Sequence, residues 1–458
     1  MTRASTEPSS AIQSFSGHAA ILRDRCRVLT SPQLACTSPD NTGVIPTWPQ
    51  PRRGGPRAGG PGFTNRELHR LLFVVKHLYL HVPFCQRRCS YCDFSIAVRK
   101  RIPEREYVDA VLQELRFLRT TDSGRAPGDP GGANLETIYL GGGTPSLLPP
   151  DAISTLLTSL LDVFRATPAR DVFEVTLEAN PEDVTPDNAR AWRHAGITRV
   201  SLGAQSFDNG VLRWMHRSHD ATRIGDAVRT LRATGLDNIS LDLIFALPAE
   251  LERDWARDLE LAGSLLPAHL SLYGLTVEER TPLARWITRG ATSAPNDERY
   301  AEEYLLAHER LASYGYHFYE VSNACRDGFR SRHNSAYWSG RAYLGLGPAA
   351  HSFDGTVRRW NLAAWEAYRR AVAARGSAVE AEEVLTDDQR ELERLYLALR
   401  TDAGIPLAAL CRPLPPAVTR WVEQGWGEIR DQRLGCTPKG WLRLDALVGD
   451  LTNLGRVV

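Results

Sequence analysis

The 458-residue chain is 43% apolar and 24% charged, enough for a large core with one or two smaller domains. Its 55 Lys and Arg against 54 Asp and Glu leave a formal charge of +1, so no electrostatic footprint for nucleic acid is expected. No run approaches the roughly 18 uninterrupted apolar residues of a membrane span, and no charged-then-apolar leader opens the chain, so a soluble cytoplasmic protein is expected.

Residues 1–70 are rich in Ser, Thr, Pro, Gly and Arg, include PRRGGPRAGGPG at 51–62, and show no apolar periodicity. Such a segment cannot bury enough surface to offset its ordering entropy, and it reads as a disordered extension. It is poor in acidic residues, as transit peptides are. Lys76, Lys100 and Lys439 are the only lysines, an arginine bias suggesting a GC-rich bacterial gene. Met215 is the only methionine after Met1, so translation from a valine codon at Val75 is the favoured origin of the native chain. A peptide from residues 2–60 in the native protein would refute this.

From residue 76 short β-rich runs alternate with amphipathic stretches. Strands are predicted at 77–84, 135–142, 173–179, 198–205, 238–247 and 269–277, and helices at 105–119 and 254–266 among others. The fold class is therefore α/β, with residues 71–290 forming a parallel, partial (β/α)6 barrel. In such barrels the chemistry gathers at the C-terminal strand ends. A cysteine cluster, the GGGTP segment at 141–145, Glu178, Gln205 and Asp242 all fall at or near those ends. Beyond 280 come a helix at 296–314, a strand at 316–321, an aromatic and Gly-rich loop at 331–353, and mostly helix to the end. Residues 291–375 read as a small α/β extension. Residues 376–458 read as a helical, winged-helix-like domain whose last stretch, 434–451, is a short strand or wing followed by a helix.

Eight cysteines in this length make no disulfide scaffold. Cys26, Cys36, Cys325, Cys411 and Cys436 are scattered, but Cys85, Cys89 and Cys92 fall within eight residues. Their C-x3-C-x2-C spacing directly follows a predicted strand. Three thiolates on one tight loop can hold three irons of a [4Fe–4S] cubane and leave the fourth open to an exchangeable amino and carboxylate pair. Zinc sites instead show four ligands in separated pairs. His81 could supply a fourth, but it alternates with Leu80 and Val82 in the strand.

The string YLHVPFCQRRCSYCDF at 79–94 resembles the radical S-adenosylmethionine superfamily, and more narrowly its coproporphyrinogen-dehydrogenase-like branch. The resemblance runs over about residues 76–450 and includes, in order, YLGGGTPS, LEANPED, RVSLGAQSF, HRSHD, LDLIFALP, HLSLYGLTVE, YEVSNAC, HNSAYW and YLGLGPAAHSF. It implies S-adenosylmethionine as cofactor, its methionine end received by Gly142, Gly143 and Thr144. Glu178 matches an acidic position that contacts the cofactor. Gln205, Arg217 and Asp242 match positions around its ribose and carboxylate, with Arg217 suited to the carboxylate. Tyr79 and Tyr91 match positions lining the pocket. Ala246 and Ala249 stand where the family usually has glycine, which puts the local backbone in question.

The branch contains oxygen-independent coproporphyrinogen oxidases, which decarboxylate propionates, and heme chaperones. The oxidases carry a fourth cysteine two residues after the third; here that position is Phe94, as in the chaperones. Residues 1–76 do not resemble the oxidases' structured N-terminal arm. His333 to Trp338 match the chaperones' H-N-x-x-Y-W motif, which implies His333 as a heme ligand, with His351 as a weaker alternative. The resemblance thus implies a chaperone with heme as cargo, acceptor hemoproteins such as respiratory enzymes as partners, a possible homodimer, and no assigned catalytic residue. The alternatives are the oxidase, or a radical enzyme on an unrelated small molecule; retention of the HNSAYW region disfavours the latter.

Overall fold

A computed structural model describes residues 75–120, 135–164, 173–410 and 413–453. The N-terminal extension and its reading as disordered, with Cys26, Cys36 and Cys411, lie outside the described residues.

The six predicted strands are present: β1 (His77–Val82), β2 (Thr137–Gly142), β3 (Glu174–Ala179), β4 (Arg199–Gln205), β5 (Ile239–Phe245) and β6 (His269–Gly274). Between them run α1 (Glu104–Thr120), α2 (Pro150–Phe164), α3 (Pro186–Ala195), α4 (Ala221–Ala233) and α5 (Trp255–Ser264). β1 to β6 lie side by side in chain order, all parallel, with Tyr79 opposite Tyr139 and Asp242 opposite Ser271.

Each strand has two chemically different faces, because successive side chains point to opposite sides. Leu78 and Leu80, Ile138 and Leu140, Val175 and Leu177, Val200 and Leu202, Leu241 and Leu243, and Leu270 and Leu272 face the helices and form one continuous core. The alternate positions are polar and line the barrel interior: His77, Tyr79 and His81; Thr137 and Tyr139; Glu174, Thr176 and Glu178; Arg199 and Ser201; Ser240 and Asp242; His269 and Ser271. This alternation makes the barrel lumen a place for polar ligands while the helix side carries the hydrophobic stabilisation.

Beyond β6 follow α6 (Asp297–Ser313), β7 (His317–Glu320), β8 (Asn323–Cys325), α7 (Arg332–Trp338) and β9 (Leu344–Leu346). β8 and β7 extend the sheet antiparallel beyond β6, and β9 joins its other edge parallel to β1. The expectation of a loop over 331–353 is therefore corrected, since α7, β9 and the strand His351–Phe353 lie within it. Gly345 looks like a loop residue in sequence, but a Cβ there would stand 2.1 Å from the His351 carbonyl oxygen, so the strand requires glycine.

The C-terminal part carries helices as expected, and its last stretch is a strand (Arg433–Cys436) followed by helix (Leu444–Asn453), but the reading missed most of two small sheets. His351–Phe353, Val357–Asn361 and Val379–Val384 form one antiparallel sheet; Ile405–Pro406, Arg433–Cys436 and Gly427–Arg430 form another. VEAEEV is half-buried on one face and exposed on the other, so its charges hid a strand. Trp421, Leu434 and Trp441 belong to the same core as the barrel. Buried Arg400 pairs with Glu320 at 2.7 Å and lies 4.3 Å over the Trp338 ring, tying the helix Asp387–Arg400 to β7 and α7. Among the described residues no helix is long and apolar enough to cross a membrane.

Candidate cofactor and metal site

The cysteine loop leaves the C-terminal end of β1 and is fixed at several points. Ala97 N–H donates to the Pro83 carbonyl at 2.7 Å and Arg99 N–H to the Cys85 carbonyl at 2.9 Å, closing the loop on its own stem. Ser90 N–H donates to the Met215 carbonyl at 3.2 Å and accepts from Leu283 N–H through its own carbonyl at 2.8 Å. His81 Nε2 is 3.0 Å from the Ser95 carbonyl oxygen; burial drives its pKa down to about 4, so the neutral ring donates there and accepts from Tyr79 at Nδ1, 3.1 Å away. Arg88 reaches the Cys92 carbonyl at 3.2 Å.

Cys85, Cys89 and Cys92 are half-buried free thiols on this loop. Cys85 Sγ lies 3.4 Å from Thr144 Oγ1, and Arg217 Nη1 lies 3.6 Å from Cys89 Sγ. Burial pushes the Cys85 thiol up to about 11 and the Cys92 thiol to about 12, so a bound metal must supply the energy that ionises them. A single tetrahedral ion would draw its sulfurs to about 3.8 Å of one another. Among the described residues no three His, Cys, Asp or Glu converge in that way. A cubane needs only three thiolates facing one space, each bound to its own iron. The donor set and the guanidinium beside Cys89 fit such an anionic cluster.

The glycine segment adjoins this loop. Gly143 N–H donates to the Val82 carbonyl at 2.8 Å, and a Cβ on Gly143 would stand 2.7 Å from the Phe84 carbonyl oxygen. Gly142 has φ +114°, and its Cβ would meet the His81 ring at 2.5 Å. These backbones therefore approach one another as only glycine permits. Thr144 is buried beside Cys85. Glu178 accepts from Tyr139 O–H at 2.8 Å and Gly142 N–H at 3.0 Å, and burial pushes its carboxyl up to about 7. Gln205 ends β4 at φ +67°. Arg217 Nη2 donates to Asn180 Oδ1 at 2.6 Å and to the Gly203 carbonyl at 2.8 Å, while its buried Nε has no partner among the described residues. Tyr91 lies against Arg217 and packs on the Met215 and Leu247 cluster.

The cysteines, Gly142, Gly143, Thr144, Tyr91, Glu178 and Arg217 are thus brought to one end of the barrel. Tyr79 stands deeper, fully buried, stacked on Tyr139 at 6.1 Å. Asp242 sits in mid-strand rather than at its end, accepting from Ser201 at 3.1 Å, and burial raises its pKa. Ala246, in place of the family's glycine, has φ +57°, a left-handed backbone that costs a non-glycine residue on the order of 1 kcal/mol. Its N–H is held by Glu303 at 2.7 Å. Ala249 begins a short 3-10 helix instead.

His333 is not at this end. Its Nδ1 lies 2.7 Å from the Thr137 hydroxyl and its backbone N–H donates to Glu174 at 3.0 Å, and these two residues begin β2 and β3. Its Nε2 lies 2.8 Å from Tyr337 O–H, and its ring packs 5.1 Å from that of Tyr139. With 1% exposure and both nitrogens engaged, His333 closes the N-terminal mouth of the barrel, and burial drives its pKa well down. His351 is also buried, its ring 5.8 Å from that of Trp360.

Sequence reasoning missed Asn180, which orients Arg217, and the Glu182–His219 pair at 3.2 Å, which braces the same segment with His219 Nε2 against the Ala204 carbonyl. Both lie inside motifs already noted, LEANPED and HRSHD, but nothing in their spacing reveals the contact.

A parallel barrel with three cysteines after its first strand and a glycine cradle after its second defines a radical S-adenosylmethionine protein. The Radical SAM superfamily model matches residues 79–262. The chain is similar to the heme chaperone HemW of Mycobacterium tuberculosis, 37% identical over 82% of this chain and 94% of that one. It is also similar to heme chaperone HemW of Bacillus subtilis (33%; 72% of this chain, 85% of the other). A third relative is the mitochondrial radical S-adenosyl methionine domain-containing protein 1 of Bos taurus (31%; 87% and 90%). Among solved structures, coproporphyrinogen III oxidase HemN from Escherichia coli superposes with a TM-score of 0.71 at 21% identity, over 86% of this chain and 94% of that chain, a likeness of fold. The chain belongs to the HemW family of the radical SAM superfamily.

Proposed function

We propose that this chain is a cytoplasmic heme chaperone that holds a [4Fe–4S] cluster on Cys85, Cys89 and Cys92 and S-adenosylmethionine beside it, and passes heme to acceptor hemoproteins. The observation that carries this reading is Phe94, 44% exposed, at the position where the decarboxylating oxidases have a fourth cysteine, in a chain that matches HemW relatives along most of its length. When bound, the reduced cluster supplies a low-potential electron to the cofactor's sulfonium. The chain's own part is positional: Gly142 and Gly143 would admit the methionine end, Arg217 would offer its free Nε to the carboxylate, and Glu178 would contact the cofactor, with Gln205 and Asp242 nearer its ribose and carboxylate. The oxidase reading is the alternative. Anaerobically reconstituted protein is expected to bind heme stoichiometrically and to release no carbon dioxide from coproporphyrinogen III. Decarboxylation without heme binding would overturn the chaperone reading.

Ligation of heme by His333 requires a conformation in which α7 has turned out of the barrel mouth, since Thr137 and Tyr337 hold both nitrogens in this one. His333→Ala is expected to weaken heme binding in a titration followed by absorption; unchanged affinity would place the ligand elsewhere.

Glu178 makes cofactor binding pH-dependent. Its carboxyl is raised to about 7 by burial, and only the ionised form attracts a cationic cofactor. Affinity for S-adenosylmethionine is therefore expected to fall as pH drops below 7, by up to about tenfold per pH unit. Glu178→Gln should flatten this profile in equilibrium dialysis; an equally steep profile in the variant would remove Glu178 from the contact.

A further inference from the structure

A heme iron takes an imidazole that faces open space, and the porphyrin around it needs a flat apolar surface. Three histidines are exposed among the described residues: His194, His216 and His317. His194 holds its Nδ1 2.9 Å from the Arg190 carbonyl oxygen, and His317 Nε2 pairs with Asp327 at 3.6 Å. His216 alone of the three has both ring nitrogens without a partner among the described residues, and it alone stands against aromatic rings. Its ring meets Trp286 edge-on at 5.3 Å, and Trp286 lies 5.8 Å from Trp214. Both indoles are partly exposed, on the short helices Asn209–Trp214 and Pro282–Thr288, and pack from below on the Met215 and Leu283 cluster. Exposed Arg213 and Arg285 adjoin them in sequence and carry no ion pair among the described residues.

The backbone of His216 is held in a defined turn. Its N–H donates to the Arg213 carbonyl at 3.0 Å and the Arg217 N–H to the Leu212 carbonyl at 2.9 Å, the pair of bonds that closes a helix on a left-handed residue. His216 has φ +61°, whereas Gly235, Gly315 and Gly425 fill the same place after other helices of this chain; Leu266 is the other side chain so placed. Glycine takes this conformation without strain, so the imidazole is presented here against the local backbone preference. The turn is also anchored to the cysteine loop, because the Met215 carbonyl accepts from Ser90 N–H and Arg217 reaches Cys89 Sγ at 3.6 Å. We propose that His216, Trp214 and Trp286 form a heme-landing site at the C-terminal rim of the barrel, outside the HNSAYW motif and at the opposite end from His333. The inference rests on the chaperone reading above and gives the cargo a second position. An unprotonated nitrogen of His216 gives its lone pair to the ferric iron in place of a water, and the iron keeps its oxidation state. The porphyrin lies along the indoles, and Arg213 and Arg285 are the cations at hand for its propionates. His333 keeps its bonds to Thr137 and Tyr337 meanwhile, so heme lands without α7 leaving the barrel mouth.

The test titrates reconstituted holoprotein with hemin, after iron and sulfide analysis, so that vacant cysteines do not compete for the iron. Difference absorption and tryptophan quenching follow binding, and electron paramagnetic resonance reports the axial ligand. His216→Gly is the main variant, because glycine suits the left-handed turn and the fold is kept. It is made in the wild type and in His333→Ala, where the other candidate ligand is gone. His333→Ala protein is expected to retain hemin binding with a histidine-ligated signal. Adding His216→Gly to it should lower the affinity at least about tenfold and abolish that signal. Trp286→Leu should weaken binding and quenching while the histidine signal persists, and His194→Ala, at another exposed histidine, should bind as wild type. If wild type binds hemin but His333→Ala does not, the landing site is overturned and the chaperone reading stands. The same holds if His216→Gly leaves the affinity within about twofold in both backgrounds. A wild type that binds no hemin would overturn the chaperone reading together with the site.

Discussion

Replacing Cys89 with alanine is expected to abolish cluster assembly while leaving the barrel folded. The side chain is half-buried, belongs to no hydrophobic cluster, and its one polar contact is the 3.6 Å approach of Arg217. Truncation therefore removes little packing, and the cluster-free protein should lose less than about 1 kcal/mol. Its contribution to the metal is of another order, because three thiolates on one loop leave none to spare. Arg217, held by Asn180 and the Gly203 carbonyl, would then face no thiolate. Cys436→Ala supplies the contrast. Cys436 is a buried member of the main core, so its loss should cost on the order of 1 kcal/mol in urea unfolding and leave iron content untouched. Iron and sulfide analysis with visible absorption and circular dichroism reads both effects. Retention of three or more irons by the Cys89 variant would sink the ligand assignment.

The parts of the structure that were legible beforehand share a physical basis. β1 to β6 alternate polar and apolar residues over six or seven positions, a pattern that only a strand with two different faces produces, and each ends close to its predicted boundary. The cysteine loop was legible because three thiols in eight residues have few other uses. What failed was short or one-sided. β9 has three residues, LGL, and owes its place to pairing with β1 across more than 260 residues of sequence, which no local pattern carries. The strand Val379–Val384 is half charged because it lies on the surface. In the site, strand-end residues were placed by periodicity, but the network behind them was not. Asn180 reaches Arg217, and Glu114 accepts from Gly347 N–H, Asn361 and Tyr368 at 2.7 to 2.9 Å, across separations of 37 to 254 residues. His333 shows the limit most clearly. Its aromatic neighbourhood was readable from HNSAYW, but its position at the floor of the barrel depends on Thr137 and Glu174, two strands away.

Glu174→Ala is expected to be among the most destabilising single substitutions and to open that floor. The carboxylate begins β3, is 5% exposed, and caps α7: its Oε2 accepts from Arg332 N–H at 2.9 Å and its Oε1 from His333 N–H at 3.0 Å. It also provides the principal counter-charge for buried Arg199, whose Nε and Nη1 have no hydrogen-bond partner among the described residues. Alanine would leave two helix-terminal amides without their acceptor and remove the principal counter-charge of a buried guanidinium, and each amide orphaned in this way costs about 1–3 kcal/mol. Glu174→Gln keeps one acceptor and the shape but not the charge, so it should recover part of the loss, and the remainder reports the effect of that charge on Arg199. Urea unfolding at neutral pH measures both. Hydrogen exchange localises the effect: the Arg332 and His333 amides should lose protection before the strands do. Because α7 carries His333, a loosened cap also frees its Nδ1 from Thr137 at the barrel mouth, and heme association should accelerate in the alanine variant if His333 is the ligand. A loss below about 1 kcal/mol, or unchanged protection at Arg332 and His333, would show that α7 is held by its aromatic packing instead.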